Sequence, residues 1–241
     1  MKNRTIRKQN MLCALAFTLL TLAPYVSFGQ NLQLHYDLDR EYVTATFEMF
    51  RPDDWGSTFF FVDFDHNPKA DGAYYEISRE LCFWKESRFN WLSIHLEYNG
   101  GLSTAAGSFN NAYLAGLTYS WHSGDWSKTW SLSAMYKAIP GTVDAKNKKQ
   151  EHNFQITGVW NLDFFNHWIS FNGYADFWRE TRGWLDTEFI MMTEPQLWIN
   201  LKNINGWEKI NLSVGSEIEL SWNFVDKGFH AMPTIATKWS F

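Results

Sequence analysis

The chain has 241 residues, 26 of them acidic and 21 basic, and its net charge of −5 excludes the basic surface that nucleic-acid binding needs. Aromatic residues make up 18% of it, yet its mean hydropathy is slightly polar at −0.35. That pairing suits a wall with lipid on one face and water on the other better than an ordinary soluble core.

Residues 1–29 read as a secretory signal peptide. Lys2, Arg4, Arg7 and Lys8 precede the apolar run Met11 to Ala23, and Ser27 and Gly29 supply small residues before a cleavage point at Gln30. Cys13 lies inside the apolar run with no small residue in front of it, which argues against a lipoprotein anchor. Residues 30–241 form one domain with 17 basic and 26 acidic residues, a balance of −9. Cys82 is then the only cysteine, so no intramolecular disulfide can form. No later stretch reaches about 18 consecutive apolar residues, so a membrane could be crossed only by a closed β-barrel, which leaves no backbone group unpaired in lipid.

Alternating segments bounded by turn residues predict twelve strands, at 32–38, 41–51, 54–65, 73–84, 88–98, 109–121, 126–138, 152–162, 166–179, 187–200, 207–222 and 229–241. The expected fold is all-β, a transmembrane antiparallel barrel of meander topology. With the amino terminus in the periplasm, the periplasmic connections are short: Pro52-Asp53, Lys85 to Ser87, His122 to Asp125, Asp163 to Phe165 and Leu201 to Gly206. The outward ones at 66–72, 99–108, 139–151 and 180–186 are longer and rich in Gly, Asn, Asp and Lys, as in outer-membrane barrels. The first connection, near Asp39-Arg40, breaks this pattern. The last strand ends on an aromatic, with Ile235, Trp239 and Phe241 on one face, the ending read by barrel-assembly machinery during insertion.

Period-two alternation assigns faces. Leu92, Ile94 and Leu96, Leu132 and Tyr136, and Leu212, Val214 and Ile218 face lipid. Arg79, between Ile77 and Leu81, falls on the same face and requires snorkelling or a bulge. Trp55, Trp84, Trp91, Trp121, Trp126, Trp160, Trp168, Trp207 and Trp239 fall near periplasmic strand ends and predict an aromatic girdle. The opposite face is polar and acidic. Its candidate lumen and ligand residues are Glu48, Phe50, Phe61, Asp63, Glu76, Glu80, His95, Glu97, Tyr174, Asp176, Glu194, Glu217, Glu219 and Lys238, with Phe59, Trp198 and Glu188 beside them. So many ionisable groups do not fit a dry core, whereas a wet lumen accommodates them. They could equally pair with one another and brace a plugged barrel.

The stretch Thr46-Phe47-Glu48-Met49-Phe50-Arg51-Pro52-Asp53-Asp54-Trp55, followed by Phe59-Phe60-Phe61-Val62-Asp63, resembles the second hairpin of the Tsx-like nucleoside-specific channel-forming proteins, in a branch whose domain has no assigned function, and Ala73-Tyr74-Tyr75-Glu76-Ile77-Ser78-Arg79 resembles the strand that follows it there. Ser213 to Glu219 and the terminal Phe241 resemble them more loosely. The resemblance implies a monomeric twelve-stranded barrel in the outer membrane of a Gram-negative bacterium, with nucleosides bound by aromatic and ionisable lumen groups. Glu48, Phe50, Phe61, Asp63 and Glu76 are the contacts it points to.

Two other readings compete. A lipid-active enzyme would need a Ser and a His with a polar orienter on the outward face; His122 with Ser123 and His95 near Ser93 are the nearest pairs, and no G-x-S-x-G elbow is present. A soluble exported barrel would bind an apolar ligand. The scattered histidines, His66 near Asp63 and Asp65 included, give no metal-binding spacing, and no cofactor is expected.

Overall fold

The computed structural model describes residues 29–67, 71–104, 107–108, 111–181 and 189–241; the expected signal peptide and Glu188 lie outside them. The strands are β1 (Gly29–Asp37), β2 (Val43–Asp53), β3 (Gly56–His66), β4 (Gly72–Leu81), β5 (Leu92–Ser103), β6 (Gly107–Ser108), β7 (Ala112–His122), β8 (Lys128–Ala138), β9 (His152–Phe164), β10 (Ile169–Arg179), β11 (Phe189–Thr193), β12 (Gln196–Asn200), β13 (Leu212–Trp222) and β14 (Phe229–Ser240). Two-residue β6 only flanks β5. Both β11 and β12 pair with β10 and β13, so they are halves of one strand interrupted at Glu194-Pro195, where proline cannot donate to the ladder. The wall is therefore a closed twelve-strand antiparallel meander.

β14 closes it against β1, with Gln33 opposite Lys238 and Asp37 opposite Thr234. The Phe241 amide donates to the Gln30 carbonyl at 3.0 Å, so the last residue completes the seam. In β1, Gln33, His35 and Asp37 are buried inside while Leu34 and Tyr36 are exposed outside, the period-two division that a half-wet wall requires. Outward aromatics gather in two bands. Trp91, Tyr119 and Trp130 form a chain of ring contacts of 5.2–5.3 Å near the end that carries the termini. Tyr98 and Tyr113 touch at 5.2 Å nearer the opposite end. Among the described residues, Trp55 and Trp126 are the most exposed indoles, at 60% and 64%.

Two sequence expectations need correction. Residues 82–91 are one folded connection rather than the ends of two strands. There the Trp84 indole donates to the carbonyls of Phe89 and Leu92, and successive turns close from Ser87 to Trp84, Asn90 to Ser87 and Leu92 to Phe89. Residues 201–211 likewise coil through a 3-10 turn at Leu201–Asn203, so β13 starts at Leu212 and not at 207. Connections at the terminal end are therefore not uniformly short. Arg79 needs no bulge: its guanidinium donates to both Asp53 carboxylate oxygens, at 2.6 and 2.7 Å, and to Thr58 Oγ1 at 3.0 Å.

Candidate functional site

The lumen is a vestibule leading to a packed throat. At the terminal end its wall is wet: Phe50, Ser120, Val159 and Asn161 are exposed. Further along the same strands, Thr118, Ser133, Gln155 and Lys137 are buried. Across from that wall, Trp198 is 0% exposed and stands edge-on to His35 at 6.0 Å. At the far end Ala112, Leu114, Met135 and Ile139 form a small apolar cluster on the inner wall.

Six carboxylates gather at the throat. Asp63 of β3, Glu76 of β4 and Glu97 of β5 step by two residues of register from strand to strand, a stagger that the tilt of barrel strands partly levels. Asp176 of β10, Glu194 at the β11–β12 break and Glu217 of β13 do the same half-way round the ring. The two triads face each other across the lumen: Asp176 lies within electrostatic reach of Glu76 and Glu97, and Glu194 and Glu217 within reach of Asp63. Hydroxyls and amides solvate these acids. Tyr74 donates to Glu76, Thr46 to Asp63, Thr157 to Asp176 and Gln196 to Glu217, each at 2.5 Å, and Tyr174 serves Glu194. Among the described residues, no Lys or Arg forms an ion pair with Asp63, Glu76, Asp176 or Glu194. Glu48, nearer the terminal end, accepts from Asn31 at 3.0 Å.

The cations stand above and below this belt. Lys238 places its ammonium 4.1 Å over the Trp198 ring, and Lys137 places its own 4.7 Å over Trp178 while donating to Gln155 at 2.7 Å. Arg40 holds Asp37 at 2.6 Å and reaches Glu219 at 3.8 Å, bracing the far mouth. Glu80, His95 and Glu97 run along one wall, with the two His95 nitrogens 2.6 and 3.0 Å from carboxylate oxygens. Thr118 and Ser93 both donate to Glu80. Glu80 and His95 are thus largely occupied in bracing the wall, whereas Glu97 keeps one oxygen without a partner. Phe59, Phe61 and Tyr74 make a continuous aromatic strip with 6.0 Å between successive ring centroids, running from the terminal end toward Glu76.

The throat thus unites Phe61, Asp63, Glu76, Glu97, Tyr174, Asp176, Glu194 and Glu217. Glu48, Phe50, Glu80, His95 and Lys238 lie toward the terminal end, and Glu219 toward the far mouth. Sequence reasoning missed Gln33, His35 and Asp37, which share a wall with Thr234 and Glu217 (His35 Nδ1 is 3.2 Å from Thr234 Oγ1 and 3.6 Å from Glu217). The polar–apolar alternation of Gln33-Leu34-His35-Tyr36-Asp37 carried the signal. Tyr74 was legible too, two residues from Glu76. Among the described residues no group of acidic, His or Cys side chains converges as a metal site.

In overall architecture the chain is similar to a solved NanC porin, at a TM-score of 0.59 and 8% identity over 88% of this chain and 100% of that one. A KdgM porin aligns at 0.49 and 12%, covering 90% and 99% of the two chains. The Acinetobacter baumannii outer membrane protein Omp33 aligns at 0.46 and 10%, covering 89% and 98%. At these identities the NanC likeness speaks to the barrel fold alone. No curated protein sequence matches the chain. Residues 29–241, the whole described barrel, match one sequence family, and the chain belongs to it: DUF5020, a domain of unknown function.

Proposed function

We propose that this protein is an outer-membrane channel for small polar solutes, with nucleosides a class its lumen suits. The carrying observation is the division of the wall: an outer face with two aromatic bands, and an inner face on which a wet vestibule leads to a throat of carboxylates, hydroxyls and rings. Apolar-out and polar-in is what a lipid-embedded conduit requires. The Phe59–Phe61–Tyr74 strip offers rings on which a base can stack, worth about 1–3 kcal/mol per base. Glu48, Asp63 and Glu76 beside it can accept from ribose hydroxyls. The resemblance of residues 46–79 to Tsx-like channels points to the same contacts. On this reading residues 1–29 direct export, barrel-assembly machinery reads the strand ending at Phe241, and the barrel works as a monomer.

Neither Ser–His pair that the sequence offered is aligned as a nucleophile and base. The Ser93 hydroxyl donates to Glu80 and not to His95, and His122 stacks flat on Trp126 at 3.6 Å. The test is uptake of labelled nucleosides into liposomes carrying the purified protein. Uptake should exceed that of empty liposomes and fall about tenfold in Phe61→Ala, the loss of one stacking contact. Flux equal to empty liposomes would sink the channel. Flux unchanged in both Phe61→Ala and Glu48→Gln would sink the nucleoside assignment while leaving the channel standing.

A further inference from the structure

The facing carboxylate triads do more than make the lumen polar. Each is built on three neighbouring strands of the wall, its members two residues off direct register and so roughly 7–8 Å apart, and the two triads sense each other across the throat. Their partners are neutral donors, apart from His95 beside Glu97 and His35 near Glu217. A second observation shows that this belt is incomplete. Glu97 has a side chain only 9% exposed, yet its Oε1 has no hydrogen-bond partner. That group lies within reach of Glu76 and Asp176. Asn99, the register partner of Glu76 and 5% exposed, likewise has an Oδ1 with no donor. On the other wall the Glu219 Oε1 is unpartnered beside Glu194 and Glu217. Buried acceptors in excess of donors call for a donor brought from outside.

We infer that the throat between Asp63-Glu76-Glu97 and Asp176-Glu194-Glu217 is a cation-selective binding site whose preferred solutes carry a protonated amine. This rests on the channel reading above. Rings of Asp and Glu draw cations into a pore and repel anions. A primary ammonium supplies three donors and no acceptor, complementing acceptors spread over neighbouring strands. A divalent metal would need several oxygens converging within about 2.0–2.6 Å, and the described residues hold no such group. Tyr74, Tyr174 and Phe61, standing among the acids, can present ring faces to an alkylammonium. Lys238 and Lys137 have their ammonium groups directed over Trp198 and Trp178; Lys137 still lies within electrostatic reach of Glu76, Glu97 and Asp176, one built-in cation against six carboxylates.

Three labelled solutes of one carbon length separate charge from size: 1,4-diaminobutane, 1,4-butanediol and succinate. With the protein in liposomes, the diamine should enter about tenfold faster than the diol, and succinate should be slowest. The paired substitution Glu76→Gln with Glu194→Gln should bring the three rates together, its fold verified by compact migration in unheated detergent gels. Should that variant not fold, the wild-type order alone decides. Equal entry of all three solutes, or fastest entry of succinate, would overturn the inference and leave the channel intact. Entry of none would overturn both.

Discussion

Arg79 shows how a residue with the wrong polarity for its face is accommodated. Its neighbours Ile77 and Leu81 point outward with it, and the bidentate bond to Asp53 lets the guanidinium snorkel toward the terminal end. Removing the acid should therefore cost more than removing the base. Asp53→Ala leaves a lone cation on the outer face and should lower stability, whereas Arg79→Met should be close to neutral. Urea unfolding in lipid vesicles compares the two, and the reverse order would contradict the pairing. In the turn between β7 and β8, bonds from Ser123 and the Ser127 amide hold the Asp125 carboxyl at about 2, below its ordinary 3.8. A depressed carboxyl stabilises the fold above its unfolded value and loses that contribution as pH falls from about 4 to about 2. An NMR titration of Asp125 with a midpoint in the ordinary carboxylate range would refute this. Single residues were legible where alternation was clean, as at Glu97 in Ser93-Ile94-His95-Leu96-Glu97. They were illegible where a partner lies far along the chain, as Asp53 does from Arg79.

Strands were readable because each shows period two, while their ends depended on contacts that alternation does not encode. Residues 82–91 look like strand by composition, yet the Trp84 indole, by bonding two carbonyls, folds them into a connection. The β12–β13 pair carries another non-local constraint. A Cβ on Gly215 would lie 2.2 Å from the Leu197 carbonyl oxygen and 2.6 Å from the Trp198 ring. Gly215→Ala should accordingly destabilise by about 1–3 kcal/mol through overpacking, measurable in the same vesicle unfolding assay; an unchanged midpoint would contradict the close approach. Trp198 itself fills one side of the lumen at the level of Lys238. Trp198→Ala should widen the lumen at that level and raise single-channel conductance, and an unchanged or lower conductance would place the constriction elsewhere.

For the whole molecule, closure is the property from which the rest follows. The β14–β1 seam removes the two edges that an open sheet would expose to lipid. It also confines an acidic chain, −9 over residues 30–241, so that many of its carboxylates point inward. Twelve strands, an aromatic ending and an acidic inner face were all visible in the sequence. The convergence of Asp63, Glu76 and Glu97 opposite Asp176, Glu194 and Glu217 was not, because strand tilt sets which residues share a level and tilt leaves no local mark. The most direct measurement is the current through purified protein inserted in a planar lipid bilayer. Discrete conductance steps are predicted, with a reversal potential under a salt gradient displaced toward that of the cation. A bilayer that stays silent with the folded barrel inserted would contradict the account at its centre.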